Sequence, residues 1–218
     1  MDIKVDQHTV IVFDLDDTLY NELDYLKSAY KAIALFLEPN DWKHLYGKMF
    51  SMYRCKVNVF EFLSGKYKTE IHSLIQMYRN HEPDIQLFDG VLDVLEAIRN
   101  KSGKIGIITD GRTTTQKAKI KNLGLLKYVD AVVISDEIGS EKPTVANFKA
   151  IENALPGNSY YYIADNWDKD FIAPNALGWK SIALLDNGMN IHFESHTCAH
   201  HRNMPNEMII GFKDLIVI

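Results

Sequence analysis

The sequence predicts an α/β protein built on a doubly wound parallel sheet, with a second, helical domain inserted into it. Three observations predict this architecture. Short apolar runs alternate along the chain with stretches of helical periodicity, which is typical of a parallel sheet with connecting helices. The apolar runs end at polar side chains, and one long interval in the first half of the chain has no convincing strand.

Five apolar runs predict the strands of the sheet. Each run is nearly continuous rather than alternating, as expected for strands that helices cover on both faces. The predicted strands are residues 9–13, 104–108, 131–134, 160–163 and 181–185. Polar residues follow the runs and so gather at the carboxyl ends of the strands, where such sheets place their ligand sites.

The segments between these strands predict the core helices, and in the first of them Val91, Leu92, Leu95 and Ile98 recur at helical spacing. The predicted core helices are residues 91–98, 112–123, 143–155 and 168–177. Pro143 is acceptable in a first helical turn. Gly124 and Gly178 are expected to stop the helices that precede them.

Residues 20–88 interrupt the alternation. An interval of about seventy residues is too long for an ordinary strand-to-helix connection. Its helical patterns occupy residues 25–37, 42–52 and 70–78. We therefore predict an α/β core of residues 1–19 and 89–218 and a helical cap of residues 20–88.

Composition narrows the class of protein. The 218 residues are 46% hydrophobic and carry a formal net charge of −5. An acidic balance argues against a general nucleic-acid or membrane-surface binder, which usually shows a basic patch. The two cysteines form no disulfide framework, and no signal pattern or membrane-length apolar run is present. We expect a cytoplasmic protein that binds neither nucleic acid nor membrane; its oligomeric state is not predicted.

An acidic hexapeptide, Asp14 to Leu19, follows the first predicted strand. Asp14 and Asp16 are two residues apart on extended backbone, so their carboxylates point to the same side. Like charges this close need a cation or a shared proton, and Mg²⁺ prefers carboxylate and carbonyl oxygens. One carboxylate can then act as nucleophile while its neighbour moves a proton. An acidic turn that only ends the strand is the alternative.

Polar residues also follow the next two predicted strands. Thr109 offers a hydroxyl, and Asp110 and Gly111 offer backbone N–H groups ahead of a helix. Such a turn can cradle an anion, or it can simply cap the helix. Lys142 precedes the next helix and can neutralise a phosphate oxygen, although most lysines are merely solvated.

The fourth predicted strand ends at Asp165, with Asp170 close behind. Asp165 can complete a Mg²⁺ site, and Asp170 can orient its neighbours without touching the metal. Both are alternatively first-turn acids that the helix dipole favours.

These groups, in this order and at these strand ends, resemble the four motifs of the haloacid dehalogenase superfamily. The matching segments are Asp14-Leu15-Asp16-Asp17-Thr18, Thr109-Asp110-Gly111, Lys142-Pro143 and Asp165-Asn166-Trp167-Asp168-Lys169-Asp170. The resemblance covers essentially the whole core and implies a Rossmann-like fold. A helical cap inserted after the first motif resembles the branch that includes many small-molecule phosphatases. One departure is Ala164, which stands where the family usually has glycine.

The resemblance implies a two-step phosphoryl transfer from a small phosphomonoester. Asp14 would attack phosphorus and form an aspartyl-phosphate. Asp16 would protonate the leaving alcohol and then deprotonate the attacking water. Asp14, the backbone carbonyl of Asp16 and Asp165 would hold Mg²⁺, with Thr18 and Asp170 supporting them.

By the same resemblance, the phosphoryl oxygens would be bound by Thr109, by Lys142 and by the backbone N–H groups of Asp110 and Gly111. The helical cap would close over the leaving group and determine substrate choice.

Alternative activities use the same core. A dehalogenase needs no proton on an alcohol and typically lacks the second aspartate, so Asp16 disfavours it. A phosphonate-cleaving relative needs an activated cap lysine, and nothing marks one here. A phosphomutase is the leading alternative enzyme, and a non-catalytic binding module on the same fold is the alternative outside enzymes.

Two segments stay open. Tyr20, Asn21 and Arg54 are candidates for contact with the substrate. The histidine-rich segment of residues 192–201 includes histidines four residues apart, but its polar neighbours favour a solvated loop over a transition-metal site.

Overall fold

The computed structural model describes residues 1–194 and 203–218. Over these residues the chain forms two compact units, the first of Met1–Glu22 with Gln86–Ile218 and the second of Leu23–Ile85. These bounds lie a few residues from the division predicted from the sequence. That the second unit acts as a cap stays a prediction.

The strands all belong to the first unit. In chain order they are β1 (Asp2–Ile3), β2 (Thr9–Phe13), β3 (Lys104–Thr109), β4 (Ala131–Ile134), β5 (Ser159–Ala164), β6 (Lys180–Leu184), β7 (Glu207–Ile209) and β8 (Ile216–Val217). Among the described residues the main sheet has the order β4-β3-β2-β5-β6-β7, and every neighbouring pair is parallel. β1 and β8 pair in a separate parallel ribbon. The predicted α/β class and parallel sheet are therefore confirmed.

Helices connect the strands of the main sheet and also make up the second unit. In chain order they are α1 (Glu22–Leu37), α2 (Trp42–Arg54), α3 (Val59–Tyr67), α4 (Ile71–Asn80), α5 (Val91–Asn100), α6 (Thr113–Asn122), α7 (Ser135–Ile138), α8 (Val145–Ala154) and α9 (Ile172–Ala176). Among the described residues no helix combines the length and apolarity that crossing a membrane requires.

Alternating side chains of the buried strands cover both faces of the sheet. On one face, Val10 and Val12 join a cluster with Phe148 of α8. The Phe148 ring packs edge-on against Tyr162, with ring centroids 5.0 Å apart. On the other face, Phe13 contacts Phe212, with centroids 6.1 Å apart. This two-sided burial explains why the strands read as continuous apolar runs.

The second unit is helical, and its core is formed by apolar faces of α1 to α4. Leu45, Met49, Leu63 and Leu74 are buried there. α3 begins at its N-cap Asn58, whose side chain accepts hydrogen bonds from the backbone N–H groups of Phe60 and Glu61. α3 was not predicted from the sequence.

Three other helices also differ in presence or starting residue from the sequence prediction. α8 begins at Val145 rather than 143, and α9 begins at Ile172 rather than 168. Before α9 the Asn166 side chain accepts a hydrogen bond from the Asp168 N–H at 3.0 Å, which holds a turn where a helix was expected. The short helix α7 was also not predicted.

Candidate active site

The acidic residues of the first and fourth motifs meet at the switch point of the sheet, between β2 and β5. Phe13 pairs in register with Ile163, and the Asp14 N–H donates to the Ile163 carbonyl at 2.9 Å. Asp14 and Asp165 follow these two strands directly. The strand order reverses here, because β3 and β4 lie on one side of β2 and β5 to β7 lie on the other, so the connections leave a crevice open to a ligand at the carboxyl ends of β2 and β5.

Lys142 joins two of the carboxylates. Its Nζ lies 2.8 Å from Asp14 Oδ1 and 2.8 Å from Asp170 Oδ1. The Tyr162 hydroxyl is a further neighbour, 3.2 Å from the same Nζ. The Lys142 side chain is 1% exposed, so this ammonium is a fixed, dry charge rather than a solvated one.

Asp165 is placed by neutral donors. Thr18 Oγ1 donates to Asp165 Oδ1 at 3.2 Å, and Asn190 Nδ2 donates to Asp165 Oδ2 at 2.9 Å. Asp14, Asp165 and Asp170 each offer a carboxylate oxygen within 4.8 Å of the others, and all three residues are buried. Three carboxylates at this spacing are a ligand set of the kind that Mg²⁺ takes.

The pKa values record the crowding of negative charge. Burial, and repulsion from Asp170, raise the pKa of Asp14 to about 7, against the pull of Lys142. Burial and the neighbouring carboxylates raise the pKa of Asp165 well above its usual value. Burial disfavours the Lys142 ammonium, but Asp14 and Asp170 outweigh it and raise its pKa well above the usual range. The carboxylates therefore outnumber the positive charge that could neutralise them.

A cavity of about 170 Å³ opens beside this cluster. Its lining residues are Asp14, Asp16, Asp17, Glu22, Thr109, Asp110, Lys142, Asp165, Asn166, Lys169 and His192. Acidic side chains outnumber the lysines in this lining, so an anionic substrate would be repelled unless a cation binds as well. The oxygen-rich donors and the excess of buried carboxylate both fit a Mg²⁺ ion.

The Thr109-Asp110-Gly111 turn lies at the same edge, but its groups are largely engaged within the protein. Thr109 Oγ1 accepts a hydrogen bond from Gln116 Nε2. The Gly111 N–H donates to Ser135 Oγ at 2.9 Å. Binding of a phosphoryl oxygen by the Gly111 N–H, as the sequence predicted, would require that bond to be exchanged.

Asp110 has a bracing role that the sequence did not predict. Its Oδ1 accepts a hydrogen bond from the backbone N–H of Lys142 at 3.1 Å, and its Oδ2 lies 2.7 Å from Lys169 Nζ. The side chain thus ties the turn after β3 to both lysines of the cavity.

The Asp16 carboxylate is surrounded by donors. Lys119 Nζ lies 2.6 Å from Oδ1, and Gln116 Nε2 donates to Oδ2 at 2.8 Å. The Tyr20 hydroxyl also donates to Oδ1. Burial favours the protonated acid, but Lys119 and the hydrogen bonds outweigh it and lower the pKa of Asp16. Tyr20, a candidate for substrate contact, is instead fully buried against this carboxylate.

Several residues that contact the carboxylates of the site were missed by the sequence analysis. They are Gln116, Lys119, Tyr162, Lys169 and Asn190. Lys169 was inside the quoted fourth motif without a role, and Tyr162 was interpreted as strand packing. Gln116 and Lys119 carried a weak signal, since two long polar residues three apart follow the Thr109 turn on one helical face.

His192 lines the cavity, whereas residues 195–201 of the histidine-rich segment lie outside the described residues. The interpretation of that segment as a loop without metal therefore stays a prediction.

A parallel α/β sheet with carboxylates, a buried lysine and a small cavity at its switch point has the small-molecule site of a doubly wound α/β protein. A family model described as haloacid dehalogenase-like hydrolase matches residues 11–184. The chain belongs to this family, and the resemblance seen in the four motifs is confirmed.

Relatives of this chain have the names of phosphatases. Glyceraldehyde 3-phosphate phosphatase of Methanocaldococcus jannaschii is 27% identical over 197 residues, covering 80% of this chain and 84% of the relative. Pyrophosphatase PpaX of Bacillus pumilus is 26% identical over 219 residues, covering 95% and 94%. The crystal structure of a HAD phosphatase from Thermococcus onnurineus shares the fold, with a TM-score of 0.60 and 19% identity over 94% of this chain and 95% of that one. The chain is thus an enzyme of this hydrolase family, and its phosphatase-named relatives agree with the predicted phosphoric monoester hydrolase.

Proposed function

We propose that the protein is a Mg²⁺-dependent phosphatase that hydrolyses a small phosphomonoester through an aspartyl-phosphate on Asp14. The observation that carries the proposal is the position of the Asp14 carboxylate. It lies at the switch point beside the cavity, 2.8 Å from the buried Lys142 ammonium and within reach of Asp165. A carboxylate that is held rigidly and only partly neutralised is suited to in-line attack on phosphorus.

Asp14, Asp165 and the Asp16 carbonyl would hold the Mg²⁺ ion. When bound, it would supply charge neutralisation for the phosphoryl oxygens and for the carboxylates themselves. Asp170 is already paired with Lys142 at 2.8 Å, so its role is to orient that lysine. Thr18 donates to Asp165 and would hold it in place.

The residues of the chain have distinct parts in the reaction. Lys142 and the Thr109 hydroxyl would bind phosphoryl oxygens. The Asp14 carboxylate would bond to phosphorus as the bond to the leaving oxygen breaks, and water would then take the phosphoryl group from Asp14. Asp16 would take a proton from the attacking water, a role that its lowered pKa suits, and it would have to be protonated before it gives a proton to the leaving oxygen. Hydrolysis of a phosphomonoester is so slow uncatalysed that the site must lower its barrier by on the order of 20 kcal/mol. Fixed charges in a dry cavity are the main source of such stabilisation.

The named activities of the relatives support cleavage of a phosphate ester or anhydride, and the cavity of about 170 Å³ supports a small reacting group. We propose a phosphomonoester as substrate, without assigning its alcohol. Cytoplasmic location and the absence of nucleic-acid binding stay predictions.

The experiment measures phosphate release from a panel of phosphomonoesters, with Mg²⁺ and with chelator, for wild type and Asp14→Asn. We expect release that requires Mg²⁺ and falls at least about a thousandfold in Asp14→Asn, because the nucleophile is lost. Asp168→Asn is the control, since Asp168 belongs to the same motif as Asp165 but is exposed.

Folded wild-type protein that releases no phosphate from any ester with Mg²⁺ would contradict the proposal. Conversion of a sugar phosphate into its isomer, without phosphate release, would favour the phosphomutase instead.

A further inference from the structure

The Asp16 carboxylate is gripped by donors that are themselves buried. Its two oxygens accept from Lys119 at 2.6 Å, from Gln116 at 2.8 Å and from the Tyr20 hydroxyl. The Lys119 side chain is 4% exposed, and Gln116 and Tyr20 are 1% and 0% exposed. Asp16 itself is on the cavity side, with a side chain 18% exposed. The buried donors therefore fix the carboxylate on its protein side, and its exposed part faces the cavity.

Two of these donors come from one helix. Gln116 and Lys119 are three residues apart on α6 and therefore share a face. The same Gln116 Nε2 also donates to Thr109 Oγ1. One side-chain amide thus connects the hydroxyl proposed to bind phosphate with the carboxylate proposed to move protons. α6 begins directly after the Thr109 turn. The positions of the Thr109 hydroxyl and of the Asp16 carboxylate therefore both depend on how this helix is placed.

Stability alone is a poor reason for this arrangement. Burying a lysine and a carboxylate costs desolvation free energy that the ion pair often only offsets. An apolar side chain of similar length at position 119 would pack the helix without that cost. The buried pair therefore indicates a requirement for the orientation of Asp16.

We propose that Lys119 and Gln116 are positioning residues that hold the Asp16 carboxylate in line for proton transfer. The proposal rests on the proposed function, because it concerns the step in which Asp16 protonates the leaving oxygen. Proton transfer depends on the carboxylate lying within hydrogen-bond reach of that oxygen, so loss of the grip lowers its rate.

The test uses two substrates that differ in their need for a proton. p-Nitrophenolate leaves as a stable anion, whereas an alkyl alcohol must be protonated as it leaves. The variants are Lys119→Met, Lys119→Arg and Gln116→Leu, each also made in an Asp16→Asn background. Lys121→Met is the matched control, since Lys121 is exposed on the same helix. Thermal unfolding verifies that each variant is folded.

We expect Lys119→Met to lower kcat/KM for an alkyl phosphate by about tenfold to a hundredfold, a part of the roughly 10²- to 10⁴-fold that general acid catalysis supplies. Its kcat/KM for p-nitrophenyl phosphate should change by less than about threefold, since kcat/KM reports only the formation of the aspartyl-phosphate and p-nitrophenolate needs no proton in that step. Gln116→Leu should show the same preference with a smaller loss, and Lys119→Arg should recover most of the alkyl activity. In the Asp16→Asn background, Lys119→Met should have almost no further effect.

Equal losses on both substrates, or the same loss with and without Asp16, would overturn the proposal, because a purely structural role predicts both. Undiminished alkyl phosphatase activity in Lys119→Met would overturn it as well. Lack of phosphate release by the wild type would instead contradict the proposed function, so the two failures are distinguishable.

Discussion

At the scale of single residues, Asp165 illustrates how this site prepares for a cation. Its oxygens accept hydrogen bonds from Thr18 and Asn190, both neutral, and its pKa is raised by burial and by neighbouring carboxylates. Neutral donors fix the carboxylate without cancelling its charge. The negative charge is therefore left for a metal ion to neutralise.

Mg²⁺ should therefore stabilise the protein against heat, and Asp165→Asn should lose most of that gain. The expected shift in Tm on adding Mg²⁺ follows from binding to the folded state alone. It should be larger at pH 8 than at pH 6. The pKa of Asp14 is raised from 3.8 to about 7, so the metal-free folded protein holds a proton that the unfolded chain has lost, and metal-free stability falls as pH rises from about 3.8 to about 7. Mg²⁺ binds the ionised carboxylates, so its affinity for the site increases as Asp14 loses its proton around pH 7.

Asp168→Asn is the control for this measurement, because it removes an exposed carboxylate from the same segment. A Mg²⁺ shift that is equal in both variants, or that shrinks as pH rises, would show that the ion binds elsewhere.

Residues of the site differ in how well the sequence revealed them. Asp14, Lys142 and Asp165 follow strand ends, and parallel pairing brings such positions together whatever the details of packing. Lys119 and Gln116 lie inside a helix, where the direction of a side chain depends on how the helix rotates against the sheet. No pattern in the sequence defines that rotation, so these residues were missed.

At the scale of elements, glycines end two helices as predicted. Gly124 and Gly178 follow α6 and α9 with φ of 68° and 76°. A side chain in this left-handed region is strained even where space is free, as it is at Gly124.

Gly124→Ala should therefore lower the free energy of unfolding by about 1 kcal/mol. Denaturant unfolding measures the change. Gly211→Ala is the control in the same unit, because Gly211 has extended backbone with open space around it, and it should change stability by less than about 0.5 kcal/mol. Equal effects of the two substitutions would refute the conformational explanation.

Apart from α3, the elements that the sequence did not reveal are short. β7, β8 and β1 have two or three residues each, too few for any periodicity to register. Their pairing depends on contacts distant in the chain, such as β1 with β8. Long buried strands, by contrast, were predicted nearly to their ends.

At the scale of the whole molecule, sheet order accounts for the placement of the site. β2 lies at the centre of the main sheet, between β3 and β5, so the ends of strands far apart in sequence lie next to its end. The alternation of apolar runs and helical segments in the sequence predicted that the sheet is parallel and doubly wound. Strand order requires knowledge of pairing, which the sequence did not predict and the register shows.

The central claim is that Asp14 carries the phosphoryl group, and trapping that group on the protein tests it most directly. Asp16→Asn slows the attack of water but leaves p-nitrophenyl phosphate able to react, so the intermediate should accumulate with Mg²⁺ present. Mass spectrometry after acid quenching should find one phosphoryl group on Asp14, absent when Asp14→Asn is added. A phosphoryl group on another residue, or none while Asp16→Asn still turns over, would contradict the account.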